Sequence, residues 1–337
     1  MKISTFSVGD QYPGHGRTTE QLYQQLTEQA VLADELGFEA VWFAEHHFDN
    51  YGIVPNPAVL LASIAARTKR VKLGSAVSIL PLHDPRTVAE NYAMVDILSN
   101  GRLVFGVGSG YVETEFNGYS IPISERRDRF DESVGLVGPL LRGEQVEHAG
   151  RFHRIDNVTL NVRATQIKPP IFLAIGRREA AFQTGRSGFN LMFNAYTLCQ
   201  QIDDAGPIIA DFRKGAAQAV GGPLDSTAAT ALHTHVAETD EVAREHAGRA
   251  LDLYVQPRVR AKKKDYDEAV AAGIVLFGSV ETVAAQLVKM HHLGIDHVLT
   301  VQNFGLLPPH LVEASMRRLM TEVMPLVHER IAGLAVA

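Results

Sequence analysis

Cysteine is almost absent from this chain: Cys199 is the only one in 337 residues. That excludes an intramolecular disulfide framework and any cysteine-rich metal site, and it suits a reducing compartment. Long apolar runs are missing as well. No stretch approaches the roughly 18 residues of a membrane span, and Met1–Asp10 shows only a short alternation with no signal-peptide core. Positive charge is in deficit, with 32 Lys and Arg against 38 Asp and Glu for a net charge of −6, and no long basic tract occurs. Nucleic acid is therefore not the expected partner, and neither is a membrane. The expectation is a cytoplasmic protein.

What is present is ample material for a core, since 46% of the residues are hydrophobic. Length divided by about 150 suggests two domains, but α/β barrels of more than 250 residues often run as one. The order of elements decides for one. Apolar runs at Ile3–Val8, Ala40–Ala44, Val71–Leu80 and Leu103–Val107 alternate with amphipathic helices, the last three spaced about 31 residues apart. Thr18 and Gln21 form a capping box with Gly37 as the stop, Asp84-Pro85 opens a second helix, and Ser124 opens a third that Gly138-Pro139 should kink or split.

The rhythm breaks at Glu144–Pro170, which reads as a small hairpin insertion. It resumes with strands at Ile171–Ile175, Leu191–Phe193 and Ala228–Val236, and helices at Arg177–Arg186, Asp203–Val220 and Thr239–Tyr254. A second, charge-rich interruption covers Val255–Phe277 and reads as a lid or a solvated face; Ser279 then starts a helix, His297–Val301 is the last strand, and Leu311–Ile331 the terminal helix. Eight strands, each followed by a helix, specify a single (β/α)8 barrel over residues 1–337, with insertions near 144–170 and 255–278. An open doubly wound sheet is the competing architecture.

In a barrel, chemistry gathers where strands end. Glu45-His46-His47 is the densest titratable cluster there. An imidazole titrating near neutrality beside a carboxylate suits proton transfer. Metal binding is a weaker reading, because three adjacent residues in an extended segment cannot all face one ion, there is no His-Glu-x-x-His pattern, and no Asp cluster at another strand end completes a site; no metal is expected. The bland alternative is a cluster satisfied within the core. Gly106-Val107-Gly108-Ser109-Gly110 resembles half of a dinucleotide fingerprint, but Tyr111 stands where the third glycine belongs. Phosphate binding by that turn, joined by Gly176-Arg177-Arg178 at a helix start, competes with a plain tight turn and surface arginines.

Ala40–Phe48 with Tyr51-Gly52, Leu73–Val77 with Leu80-Pro81, Asp96–Leu103, Phe105–Tyr111 and Gly278–Val283 together resemble the bacterial luciferase-like flavin-dependent monooxygenases. The resemblance spans almost the whole chain and is most specific in its first 135 or so residues. It implies a barrel that binds reduced FMN at the C-terminal strand ends. O2 would then oxygenate a small organic substrate through a flavin C4a-peroxide, with the flavin delivered by a separate reductase rather than reduced by NADH on this chain. Carried over by position, His46 is the catalytic histidine and Glu45 lies near the isoalloxazine. Ala76-Val77 forms a non-prolyl cis peptide against the flavin, and Ser109, Gly110 and Gly176 line the phosphate pocket. Arg177 or Arg178, at the helix start beside them, would supply the positive charge that an arginine at Ser109 gives luciferase, a role that follows from their place and is not carried over. The family also implies a homodimer. Ser109 stands where luciferase itself has an arginine, and Gly108 where it has a reactive cysteine; the missing cysteine and the different lid argue against light emission. The alternatives are a deazaflavin-dependent oxidoreductase and a flavin-binding relative without turnover.

Overall fold

The computed structural model of the chain describes residues 1–219, 226–256 and 264–334. Its strands are β1 (Lys2–Ser7), β2 (Ala40–Phe43), β3 (Lys72–Ile79), β4 (Leu103–Gly108), β5 (Val146–Ala149), β6 (Arg154–Val158), β7 (Ile171–Ala174), β8 (Asn190–Asn194), β9 (Ala228–Val236), β10 (Leu276–Gly278) and β11 (His297–Val301). Eight of them close in the order β1-β2-β3-β4-β7-β8-β9-β11 and back to β1. Every ladder in the ring is parallel, with Phe43 beside Ser75, Ser75 beside Phe105, and Lys2 beside His297 at the closure. The barrel expected from the strand rhythm is therefore the fold, and the open sheet is not. Among the described residues no helix is long and apolar enough to cross a membrane.

Local chemistry explains the element boundaries. The Thr18 hydroxyl accepts the Gln21 N–H while the Gln21 side chain accepts the Thr18 N–H, and Gly37 closes the helix in the left-handed conformation at φ 80°. Asp84 caps the helix Pro85–Leu98, with proline at the position where its missing N–H costs nothing. Inside the barrel, Trp42 is 1% exposed and packs edge-on to Phe172 at 5.3 Å. Gly74 makes room for it, since a Cβ there would lie 2.3 Å from the indole. At the closure the Ser4 hydroxyl meets His297 Nε2 at 2.6 Å, and burial pushes that imidazole down to about 3, so it is neutral. The Asp96–Leu103 motif is a staple: buried Asp96 accepts the N–H groups of Leu103 and Gln166, and Arg102 donates to the carbonyls of Ala65, Thr68 and Val71.

Several expectations need correction. The hairpin insertion is present as the antiparallel pair β5–β6. The helix Arg126–Leu141 is not split by Gly138-Pro139; it runs two residues past the proline and ends in that turn. The helix expected from Arg177 begins at Ala180, after a turn. The interruption Val255–Phe277 is not a plain loop: residues 257–263 lie outside the described residues, but Tyr266–Ala271 is helical, capped by an Asp265–Glu268 capping box, and β10 pairs with the end of β9. A further short helix, Glu113–Gly118, follows β4.

Candidate active site

Because all ring strands are parallel, the residues after β2, β3, β4 and β7 emerge at one end of the barrel. Glu45, two residues beyond β2 and 3% exposed, has both oxygens engaged. Its Oε1 accepts from His47 Nε2 at 3.0 Å and His83 Nε2 at 2.6 Å; its Oε2 accepts the Ile79 N–H at 3.2 Å and the Ser78 hydroxyl at 3.3 Å. Burial alone would raise the carboxyl, but the two imidazole hydrogen bonds and their charge outweigh it and hold it at about 2. In return, burial pulls His83 down while the Glu45 carboxylate prevails and raises it. Glu45 is thus a buried, ionised anchor that ties β2 to the segment following the Ala76–Val77 bond, and that bond is cis.

His46 points elsewhere. Its Nδ1 lies 2.8 Å from Glu115 Oε1, and its ring packs edge-on to Tyr51 with centroids 4.5 Å apart. With a carboxylate as its partner, Nδ1 is the donor of this hydrogen bond, and Nε2 is the ring nitrogen left facing away from it. The same Glu115 oxygen accepts the His47 main-chain N–H at 3.1 Å, and Glu115 Oε2 is buried without a hydrogen-bond partner. Behind the ring stands Gly52, where a Cβ would lie 2.8 Å from His46 Cδ2 and 2.4 Å from the Val8 carbonyl. His47 completes its bonding with Nδ1 3.2 Å from the Tyr119 hydroxyl.

Aromatic rings form the lip of this end. Phe48 is 66% exposed and adopts φ 60°, its ring filling the space that a Cβ on Gly118 would take at 2.3 Å. It packs against Tyr119 at 5.3 Å, and the Tyr51 and Tyr111 hydroxyls meet at 2.7 Å.

The residues assigned to the phosphate pocket leave neighbouring strands, β4 and β7, whose Val107 and Leu173 are paired. Ser109 and Gly110 are half-buried, and Gly110 (φ 68°) has Ile79 and Phe116 within 3 Å of where a Cβ would stand. Gly176 and Arg177 are exposed. Arg178 pairs with Asp211 at 2.9 Å, so its guanidinium is committed to the neighbouring helix Ala205–Ala216. The structure thus brings Glu45, His46 and the cis segment together. It adds Glu115, His83 and Tyr119, which sequence reasoning did not assign.

Fold and site together define an α/β barrel with a buried histidine–carboxylate centre at its C-terminal strand ends, where barrel enzymes carry out proton chemistry. The chain belongs to the luciferase-like monooxygenase family, whose family model matches residues 1–297. It is 33% identical over 195 residues to the oxygenase component of a flavin-dependent trigonelline monooxygenase from Acinetobacter baylyi, covering 55% of this chain and 52% of that one. It is 32% identical over 184 residues to an F420-dependent glucose-6-phosphate dehydrogenase from Amycolatopsis mediterranei, covering 52% and 55%. The matches thus span about half the length of these curated relatives. Among solved structures, the monooxygenase RslO1 from Streptomyces bottropensis superposes with a TM-score of 0.89 at 28% identity, covering 96% of this chain and 99% of that one.

Proposed function

We propose that the chain is a single-domain FMN-dependent monooxygenase that receives reduced FMN from a separate reductase and uses O2 to oxygenate a small organic molecule. The observation that carries the reading is the His46–Glu115 pair, which aims an imidazole Nε2 away from its carboxylate partner at the end of the barrel. Reduced flavin supplies the two electrons that oxygen activation requires. His46 takes or returns a proton at Nε2, and Glu115 holds its tautomer and offsets the charge of the imidazolium. The unpartnered Glu115 Oε2 is a second acceptor inside the site, a place where a bound molecule can donate. Glu45 serves the cofactor by holding the Ala76–Ile79 segment, while Phe48 and Tyr119 cover the site from water. Ser109, Gly110, Gly176 and Arg177 hold the phosphate.

The test is oxygen uptake. The chain alone should not oxidise NADH in the presence of FMN, and oxygen-dependent turnover should begin when an FMN reductase is added. The F420-dependent relative supports a second reading, a deazaflavin oxidoreductase that needs no oxygen. Turnover of reduced or oxidised F420 under anaerobic conditions, without oxygen uptake with FMN, would establish that reading instead.

Two further predictions concern binding surfaces. Since Arg178 is paired with Asp211, Arg177→Ala should weaken FMN more than riboflavin, which lacks the phosphate, and Arg178→Ala should matter less. Equal losses of both flavins on titration of Arg177→Ala would move the phosphate elsewhere. A homodimer is proposed through the helices Pro57–Ala65 and Pro85–Leu98, which expose Val59 (67%), Met94 (51%), Ile97 (43%) and Leu98 (56%). Sedimentation should show twice the 36.9 kDa chain mass, with Met94→Glu and Leu98→Glu together shifting the protein to monomer.

A further inference from the structure

Glu45, His47 and His83 present one oxygen and two imidazole nitrogens that all lie within 4.8 Å of one another. The two Nε2 atoms converge on the same carboxylate oxygen, at 3.0 and 2.6 Å. Two ligand atoms on a tetrahedral zinc ion, each about 2.0–2.1 Å from the metal, stand roughly 3.3 Å apart. The array therefore differs from a metal-binding arrangement by shifts of about an ångström, which small movements of the His47 and His83 rings can supply.

The surroundings suit an ion too. Glu45 Oε2 is tethered by Ile79 and Ser78, so the carboxylate is fixed in orientation. The Tyr119 hydroxyl stands 3.2 Å from His47 Nδ1 and can accept from it once the ring proton moves there, which frees the Nε2 lone pair for an ion. Two of the three ligands are sealed, with His47 and Glu45 side chains 5% and 3% exposed, whereas His83 is 27% exposed and opens the side from which an ion can enter. Two imidazoles with one carboxylate select a borderline cation such as Zn2+ over Mg2+ or Ca2+, which prefer all-oxygen sites.

We propose that Glu45, His47 and His83 form a binding site for a zinc-type divalent cation at the rim of the barrel. On binding, the ion takes the place of the Nε2 protons that bridge the imidazoles to Glu45. His47 shifts its bridging proton to Nδ1, where the Tyr119 hydroxyl accepts it, and His83 shifts its own to its Nδ1. Any proton in excess on His83 leaves to water. The site is coupled to the acid–base centre because the His47 main-chain N–H rests on the same Glu115 oxygen that orients His46. An occupied site pins His47 and, through its main-chain N–H, the Glu115 oxygen that orients His46.

The binding test uses neither flavin nor turnover, so its outcome is independent of the proposed monooxygenase activity. The full chain is dialysed against micromolar Zn2+ and the bound metal counted, with thermal melting in parallel. Wild type should retain one Zn2+ per chain and gain in Tm, and Mg2+ should do neither. His83→Gln keeps an N–H donor for Glu45 but lacks the imidazole nitrogen, so it should bind Zn2+ at least ~10-fold more weakly. No saturable binding by wild type, or equal binding by His83→Gln, would overturn the site and leave the cluster as a hydrogen-bonded clamp alone. Should His83→Gln fail to fold, Co2+ titration of wild type decides. A strong visible band of four-coordinate Co2+ supports the site, and the faint band of a six-coordinate surface ion refutes it.

Discussion

Replacing His46 with alanine should lower the rate of substrate oxygenation about 10²–10⁴-fold, the usual cost of losing a positioned acid–base group. The reason is directional. His46 Nδ1 is bound to Glu115, so only Nε2 is available to move a proton, whereas both nitrogens of His47 are already committed, to Glu45 and Tyr119. His47→Ala should therefore act mainly through stability and flavin binding. Glu115→Gln tests the partner: its amide oxygen can still accept from Nδ1, so geometry persists while the stabilising charge is lost. Its defect should lie between wild type and His46→Ala and should reside in kcat. Single-turnover rates with enzymatically reduced FMN separate these outcomes. A His46→Ala enzyme as fast as wild type, beside a crippled His47→Ala, would reverse the assignment.

The second large effect concerns stability. Glu45→Ala removes the acceptor shared by His47, His83, Ser78 and Ile79 in a buried setting, and breaking such a pair typically costs about 3–5 kcal/mol. The pH dependence follows from the two partners. The Glu45 carboxyl is depressed from 4.5 to about 2, so its contribution is complete above 4.5 and is lost as pH falls toward 2. His83 is raised above 6.5, so its share is complete below 6.5 and is lost as pH rises through the raised value. These are two views of one interaction, counted once. The stability difference between wild type and Glu45→Ala, measured by urea unfolding, should therefore be largest between pH 4.5 and 6.5 and shrink on both sides. A difference that does not change with pH would show that the carboxylate acts by volume rather than by charge.

The barrel was legible because each parallel strand must be followed by a crossover, and the caps at Thr18, Asp84 and Ser279 mark where those crossovers begin. Glu45-His46-His47 could be read as a cluster from its composition, and the family resemblance placed the cis bond correctly at Ala76–Val77. The partners could not be read. His83 and Glu115 lie 38 and 69 residues from the side chains they hold, and only closure of the ring sets those distances. Glu115 sits on a six-residue helix whose N-cap, Val112, offers no side-chain signal. Arg178 looked available for phosphate because its counter-ion, Asp211, belongs to a different βα unit. β10 was hidden for another reason: three residues are too short to show a period against the charged stretch before them.

Gly52 carries a consequence for how such a site can change. The wall behind the His46 ring is main chain, the carbonyl of Val8 and the Cα of Gly52, with no side chain between them. How far the imidazole can retreat is consequently set by the course of the backbone after β1 and β2, while Tyr51 and Glu115 hold its other sides. Phe48 makes none of the hydrogen bonds that orient His46, so its exchange should leave the imidazole where it is. A library that varies Phe48 but spares Gly52 and the tyrosines should therefore alter which molecules are accepted without moving the imidazole.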